Sequence, residues 1–181
     1  MKGLEHIDSR QPYIFVSNHA SMADIPTVMV ALKGKVNFVF KKELTWVPIW
    51  GWALRFGHFI MIDRSNPRDA MNSIERAAQT IRSGQSVILF PEGTRTRTGK
   101  LQPFKRGAFT LAAKSGVPVV PMTINNTFGI LPKGSLNMKS SDVSVILGNP
   151  ISTHNLKSKN DELELMEHVH RAIEKQYLNQ G

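Results

Sequence analysis

Six short apolar runs constrain this chain more than any other feature, because each is just long enough for one buried strand. Most are β-branched or aromatic and continuous, which is typical of a sheet covered on both faces. The runs are PYIFVS (12–17), VNFVF (36–40), HFIMI (58–62), SVILF (86–90), VPVVPMTI (117–124) and VSVIL (143–147).

Helical patterns lie between and after these runs. Apolar residues recur at three- and four-residue spacing from Met71 to Ile81, and every four residues from Leu165 to Tyr177. DIPTVMVALKG and GAFTLAAKSG also favour helices that end at glycine. Because strands and helices alternate, we expect a single α/β domain over residues 1–181. Its sheet should be mostly parallel or mixed and flanked by helices.

Polar clusters follow four of the predicted strands. His19 follows the first, FKKEL the second and PEGTR (91–95) the fourth, while IDR (62–64) ends the third. In such sheets, ligands bind outside the carboxyl ends of the strands. The sequence therefore predicts an active site at that edge.

Charge and cysteine content narrow the possible chemistry. The chain has no cysteine, which excludes disulfides, thiolate nucleophiles and cysteine-bound zinc, and we find no other metal signature. Its net charge of +9 favours phosphate-bearing substrates, an acidic membrane surface or nucleic acid. No run reaches the roughly 18 apolar residues that a membrane-spanning helix requires.

His19 and Asp24, in the segment SNHASMADIP (17–26), are the first candidates for catalysis. A separation of five residues does not place two side chains on one helix face, so they meet only if the chain turns between them. Asp24 would then orient the imidazole and leave its other nitrogen as a base. The alternative is a helix-capping aspartate beside an unrelated loop histidine, and the spacing alone favours it.

A histidine base without a protein nucleophile would suit direct transfer between two substrates. No serine or threonine is convincingly placed as a nucleophile, and the GxSxG turn is absent. In direct transfer, the base would deprotonate a substrate hydroxyl, which then attacks an electrophile bound beside it.

The segment LFPEGTRTRTGKLQPFKRG (89–107) suits an anion site. Gly93 permits close approach of the backbone to a ligand, and Arg95 offers a planar fork of donors to a phosphate. Glu92 could hold that arginine or accept a substrate hydroxyl. The alternative is a basic surface hairpin.

The three tryptophans lie within the segment TWVPIWGWALRFG (45–57). Tryptophan is frequent at membrane interfaces, but aromatic side chains more often fill a core.

Four blocks, in order along the chain, resemble the glycerophospholipid acyltransferase family, which includes the 1-acyl-sn-glycerol-3-phosphate acyltransferases. The similarity extends from Pro12 to about Ile151. The blocks are NHASMAD (18–24) with its His-x4-Asp core, KKEL followed by IDR (62–64), FPEGTR (90–95) with FKRGAF (104–109), and VPVVPM (117–122).

The resemblance implies transfer of a fatty acyl chain from a thioester to the sn-2 hydroxyl of 1-acyl-sn-glycerol 3-phosphate, giving phosphatidic acid. It implies that His19 is the general base and Asp24 its orienting carboxylate. It also implies acyl-CoA or acyl-carrier protein as co-substrate, with no other cofactor. The substrate-binding residues that it implies are Lys41, Arg64, Glu92, Gly93, Thr94, Arg95 and Lys105.

The resemblance further implies that the protein acts at the cytoplasmic face of a membrane with an anionic surface. Relatives usually carry several dozen residues before the first block, often hydrophobic, whereas this chain has 17 before Asn18. We expect either a missing N-terminal anchor or peripheral binding through the tryptophans and the basic excess.

Three other interpretations stay open at this stage. The acceptor could be glycerol 3-phosphate or another lysolipid, or the chain could be a family member that has lost activity through truncation. A basic module for nucleic acid is disfavoured, because the aromatic residues do not interleave with the basic ones.

Overall fold

The computed structural model describes residues 1–41, 59–62, 66–132, 134 and 138–178. The tryptophan segment, Lys42 to Leu44 of the second block and Arg64 lie outside these residues. In the described part of the chain the strands are β1 (Ile14–Ser17), β2 (Asn37–Lys41), β3 (Phe59–Ile62), β4 (Val87–Leu89), β5 (Val119–Asn125) and β6 (Ser144–Leu147). The α-helices are α1 (Asp24–Ala31), α2 (Pro67–Arg82), α3 (Gly107–Ser115) and α4 (Lys159–Glu174), and a short 3-10 helix spans Leu4–His6.

The six described strands form one mixed sheet in the order β3-β2-β4-β1-β5-β6. β1 pairs in parallel with both β4 and β5, β2 pairs in parallel with β3 and β4, and β6 pairs antiparallel to β5. The predicted α/β architecture is confirmed. Since β4 inserts between β1 and β2, the loops that follow β1 and β4 become neighbours at the carboxyl edge.

Alternate strand residues face two separate cores. Ile14 and Val16 of β1 pack with α2, α3 and α4 on one face. Phe15, between them, packs on the other face with α1 residues such as Val28. Burial on both faces explains why the runs read as continuously apolar.

The helix ends follow the local sequence signals. Asn66 caps α2 by accepting a hydrogen bond from the Asp69 N–H, and α3 ends at Gly116, whose φ of 68° is left-handed. Ser158 and Asp161 form a capping box at the start of α4.

Candidate active site

His19 and Asp24 are in direct contact. The His19 Nδ1 and Asp24 Oδ2 atoms lie 2.7 Å apart, with the aspartate side chain fully buried and the imidazole 17% exposed. The chain turns between them, since Asp24 is the first residue of α1 and its carboxylate points back to the preceding turn. The capping position itself is Ala23, so Asp24 is not the capping residue that the alternative interpretation required.

Four donors converge on the Asp24 carboxylate. Oδ2 accepts the Ala20 and Ser21 N–H groups at 2.8 and 2.9 Å in addition to the imidazole, and Oδ1 accepts the Thr127 hydroxyl at 2.6 Å. This is the pattern of an ionised carboxylate, which only accepts. His19 therefore donates from Nδ1, and Nε2 is the nitrogen free to take a proton.

The loop after β4 holds the backbone of His19 on both sides. The His19 N–H donates to Glu92 Oε1 at 2.7 Å, and the His19 carbonyl accepts the Thr96 N–H at 2.9 Å. The Phe90 ring stacks on the imidazole, with centroids 4.2 Å apart and planes inclined by 21°. The neighbouring positions of β1 and β4 thus fix both the main chain and the ring of His19.

Glu92 links the two loops. Its Oε2 accepts from the Gln102 backbone N–H at 3.2 Å and from Nε2 of the same residue at 2.8 Å, while Oε1 accepts from His19. The side chain is almost fully buried, and this burial raises the pKa of Glu92 to about 7 against the lowering effect of those hydrogen bonds. Glu92 therefore joins the loop after β1 to the loop after β4. Among the described residues it forms no hydrogen bond to Arg95.

The loop after β4 and the residues that follow it carry cations. Gly93 has a left-handed φ of 75°, and a Cβ added there would lie 2.9 Å from Lys105 Nζ. Arg95 is half-buried, Thr94 and Lys105 are exposed, and within the described part of the chain the Arg95 guanidinium forms no ion pair. Because no described acid neutralises Arg95, it is available to an anion.

The remaining sequence-predicted residues are only partly located. Lys41 ends β2, which neighbours β4 in the sheet, so its backbone lies at the same edge. Arg64 lies outside the described residues. Among those residues, no group of three or more His, Cys, Asp or Glu side chains could hold a metal ion.

Sequence reasoning missed three contributors. Thr127 reaches Asp24 from the loop after β5, and Gln102 holds Glu92 from ten residues along the chain. Asn18 exchanges two hydrogen bonds with the Ile124 backbone at 2.8 and 2.9 Å and so fixes the end of β1 to β5. Asn18 and Thr127 each follow a predicted strand closely, and that position was the available signal.

Comparison with known proteins identifies the class that this fold and site define. The model of the Acyltransferase family matches residues 1–125. The chain therefore belongs to the Acyltransferase family.

Named relatives make the similarity more specific. The chain is 41% identical over 153 residues to the chloroplastic 1-acyl-sn-glycerol-3-phosphate acyltransferase BAT2 of Brassica napus, covering 83% of this chain and 44% of that protein. It is 36% identical over 157 residues to the human 1-acyl-sn-glycerol-3-phosphate acyltransferase alpha, covering 86% of this chain and 56% of the relative. The chain thus spans about half the length of these curated relatives.

A solved structure shows the same fold. The crystal structure of the 1-acyl-sn-glycerophosphate acyltransferase PlsC from Thermotoga maritima is similar with a TM-score of 0.80 and 28% sequence identity. The match covers 97% of this chain and 68% of that one.

Proposed function

We propose that this chain transfers a fatty acyl group from a thioester to the sn-2 hydroxyl of 1-acyl-sn-glycerol 3-phosphate, giving phosphatidic acid. The observation that carries the proposal is the 2.7 Å contact between His19 Nδ1 and the buried Asp24 carboxylate, beside a loop with cations available to a phosphate. The names of the relatives support the same acceptor.

In the proposed reaction, Nε2 of His19 takes the proton of the acceptor hydroxyl as its oxygen attacks the thioester carbonyl. Asp24 stabilises the imidazolium that forms and keeps the ring oriented. The new ester C–O bond forms, the C–S bond breaks, and the leaving thiolate takes the proton from His19. The chain forms no covalent bond to the acyl group, so a protein nucleophile is not required.

Arg95 and Lys105 are the proposed partners of the acceptor phosphate. Arg95 is half-buried at the catalytic edge, and Lys105 lies over Gly93, where the absence of a Cβ leaves room for its ammonium group. The backbone of Gly93 and Thr94 forms the bend that leads into Arg95. Lys41 and Arg64 stay predictions as further phosphate-binding residues.

The acyl donor is proposed to be acyl-CoA or acyl-carrier protein. It acts as a co-substrate, because the proposed chemistry needs only a thioester carbonyl and a base.

The lipid acceptor is proposed to reach the site from an anionic membrane surface. Val30 and Met29 on α1 are 81% and 49% exposed, and the exposed cations Lys33 and Lys35 follow directly. An apolar helix face beside cations suits the headgroup region of an anionic bilayer. α1 begins at Asp24 and ends beside these cations, so a helix lying along the membrane surface would keep the site within about 12 Å of the contacting residues. No helix in the described ranges is long and apolar enough to cross a bilayer.

An acceptor competition assay tests the proposed substrate. With an acyl thioester present, 1-acyl-sn-glycerol 3-phosphate should be acylated, and an excess of glycerol 3-phosphate should compete poorly. Preferential acylation of glycerol 3-phosphate would contradict 1-acyl-sn-glycerol 3-phosphate as the acceptor.

A variant pair tests the role of Arg95 in the same assay. Arg95→Ala should raise the acceptor KM about 10-fold or more, because charge-assisted hydrogen bonds contribute roughly 1.5–3 kcal/mol. Arg76→Ala, which removes an exposed arginine from α2, is the matched control and should leave this KM unchanged. An effect of Arg95→Ala on the thioester KM alone would contradict phosphate binding.

A further inference from the structure

The segment that follows α4 returns to the catalytic edge of the sheet. Asn125, the last residue of β5, is buried, and both ends of its side-chain amide bind this segment. Nδ2 donates to the Gln176 carbonyl at 3.0 Å, and Oδ1 accepts from the Leu178 N–H at 2.9 Å. A buried amide with both ends paired to backbone fixes the segment firmly, because breaking either bond would leave a buried polar group unsatisfied.

Tyr177, between those two anchors, reaches the loop after β4. Its hydroxyl donates to the Gly99 carbonyl at 2.8 Å, across 78 positions of sequence. Burial, together with the nearby Glu92 and Asp24 carboxylates, raises the pKa of Tyr177 to about 12, so the phenol is protonated and can donate near neutral pH.

Hydrogen bonds hold the loop of residues 91–102 at its base, at its middle and near its far end. At its base, Glu92 binds Gln102 and the His19 N–H. At the middle, the Thr96 N–H donates to the His19 carbonyl at 2.9 Å and the Thr94 carbonyl accepts from Gln102 Nε2 at 3.0 Å. Near its far end, Gly99 is buried and bound by Tyr177. Arg95 lies between Thr94 and Thr96 at the middle of the loop, and Arg97 lies between Thr96 and the Gly99 anchor.

We propose that Tyr177 is a positioning residue for the acceptor: its hydroxyl fixes the loop that presents Arg95 to the acceptor phosphate. The inference rests on the proposed function for its link to the acceptor, but the bracing of the loop stands on the hydrogen bonds alone. Among the described residues, the hydroxyl of Tyr177 donates to Gly99 and makes no hydrogen bond to His19 or Asp24, so the chemical step should not depend on it.

Tyr177→Phe tests this role by removing a single oxygen. It leaves the buried Gly99 carbonyl without its donor, so the loop loosens at its far end. We expect the acceptor KM to rise about 3- to 10-fold, while kcat and the thioester KM stay within about twofold of the wild type. Because the proposed role belongs to the hydroxyl, Tyr177→Ala should raise the acceptor KM at least as much as Tyr177→Phe does.

The chain offers a matched control in its other tyrosine. Tyr13 is buried just before β1, at the opposite edge of the sheet. Its hydroxyl oxygen accepts hydrogen bonds from the Asp8 backbone N–H and from Gln11 Nε2. Tyr13→Phe removes the same oxygen and should lower the melting temperature without changing the acceptor KM. Equal acceptor KM values for the two variants would overturn the proposal, as would a fall in kcat for Tyr177→Phe without a change in KM.

Hydrogen exchange separates this proposal from the proposed reaction. In the protein without substrates, Tyr177→Phe should speed amide exchange in residues 97–102, and Tyr13→Phe should not. Unchanged exchange in that loop would overturn the bracing even if turnover falls. Conversely, faster loop exchange in a protein whose wild type transfers no acyl group would support the bracing and contradict the proposed function.

Discussion

At the scale of single residues, the two buried carboxyl groups of the site do different work. Asp24 accepts from four donors, two of them backbone N–H groups within four residues, and holds the imidazole of His19. Glu92 joins the backbone of His19 to Gln102 and so holds one loop against another. The first carboxylate orients the imidazole of His19, the proposed base, and the second fixes the backbone around it.

Thr127→Val tests how far the activity depends on the orientation of Asp24. The change keeps the shape and removes the hydroxyl that donates to Oδ1 at 2.6 Å. A buried carboxylate oxygen without a donor costs about 1–3 kcal/mol, and the carboxylate loses one of its fixed points. We expect a lower melting temperature and a kcat reduced about 3- to 10-fold.

Thr153→Val is the control for Thr127→Val. The Thr153 hydroxyl is also buried and donates to the Val117 carbonyl, before β5 begins. Thr153→Val should lower the melting temperature and leave kcat unchanged. Equal kcat values for the two variants would contradict the orienting role of Thr127.

Glu92→Gln tests the raised pKa of Glu92. Because the folded pKa of about 7 exceeds the ordinary value of 4.5, ionisation is harder in the folded state than in the unfolded chain. The favourable contribution of the neutral acid is complete below about pH 4.5 and is lost as the pH rises through 7. Glutamine resembles the neutral acid and does not titrate.

The measurement for Glu92→Gln is the free energy of unfolding from pH 4.5 to 8. The stability of the wild type relative to the variant should fall by about 2–3 kcal/mol across this range. A constant difference, or a rise with pH, would show that the folded pKa is not raised.

At the scale of elements, the loop after β4 depends on the close approach at Gly93. Gly93→Ala combines a left-handed φ of 75° with a Cβ that would lie 2.9 Å from Lys105 Nζ. Backbone strain at such a position costs roughly 1 kcal/mol. Since the far end of Lys105 can move, the main expected effect is a displaced ammonium group and an acceptor KM raised about 3- to 10-fold.

Gly116→Ala separates strain from displacement. Gly116 has a similar φ of 68°, ends α3 and has open space at its Cβ position. Both variants should lose stability to a similar degree. A rise in the acceptor KM for Gly116→Ala as large as for Gly93→Ala would mean that strain alone causes the effect.

The elements could be predicted from sequence because their signals are local. All six apolar runs became strands, and glycine or serine-glycine punctuation marked the helix ends at residues 83–84 and at Gly116. The order of strands could not be predicted, because the insertion of β4 between β1 and β2 is set by packing of the whole chain. That insertion is what brings Glu92 to the backbone of His19.

The site was predictable only where its contacts are short in sequence. His19 and Asp24 are five positions apart, so their spacing alone showed that the chain must turn between them for the two side chains to meet. By contrast, the Thr127 and Asp24 contact spans 103 positions, and Tyr177 and Gly99 are 78 apart. Side chains that meet across such distances carry no shared local pattern.

At the scale of the whole molecule, the two faces of the sheet differ in their cover. One face carries α2, α3 and α4, and the other, in the described part of the chain, carries α1 and the N-terminal segment. A cavity of about 710 Å³ between that segment and the end of α1 opens at the edge opposite the catalytic one. If the membrane contacts the α1 face, a substitution there should weaken membrane binding, and a substitution on the α2 face should not.

Met29→Glu tests binding through the α1 face. Met29 is 49% exposed on α1, and Met71, on α2 at the opposite face, is 47% exposed. Placing a negative charge on α1 should weaken binding to vesicles that contain anionic phospholipid at least several-fold, because it removes apolar contact and repels the headgroups. Met71→Glu should bind as the wild type does. If the two variants bind equally, the membrane does not contact α1.

The most direct test of the whole account is acyl transfer by His19→Ala. The contacts of Glu92 and Thr96 are to the His19 backbone, so the variant should keep the loops in place and still bind 1-acyl-sn-glycerol 3-phosphate. Its kcat should fall about 10²- to 10⁴-fold, as expected when a general base is lost. The exposed His154→Ala is the control and should transfer as the wild type does. Transfer by His19→Ala at a rate near that of His154→Ala would contradict the assignment of His19 as the base.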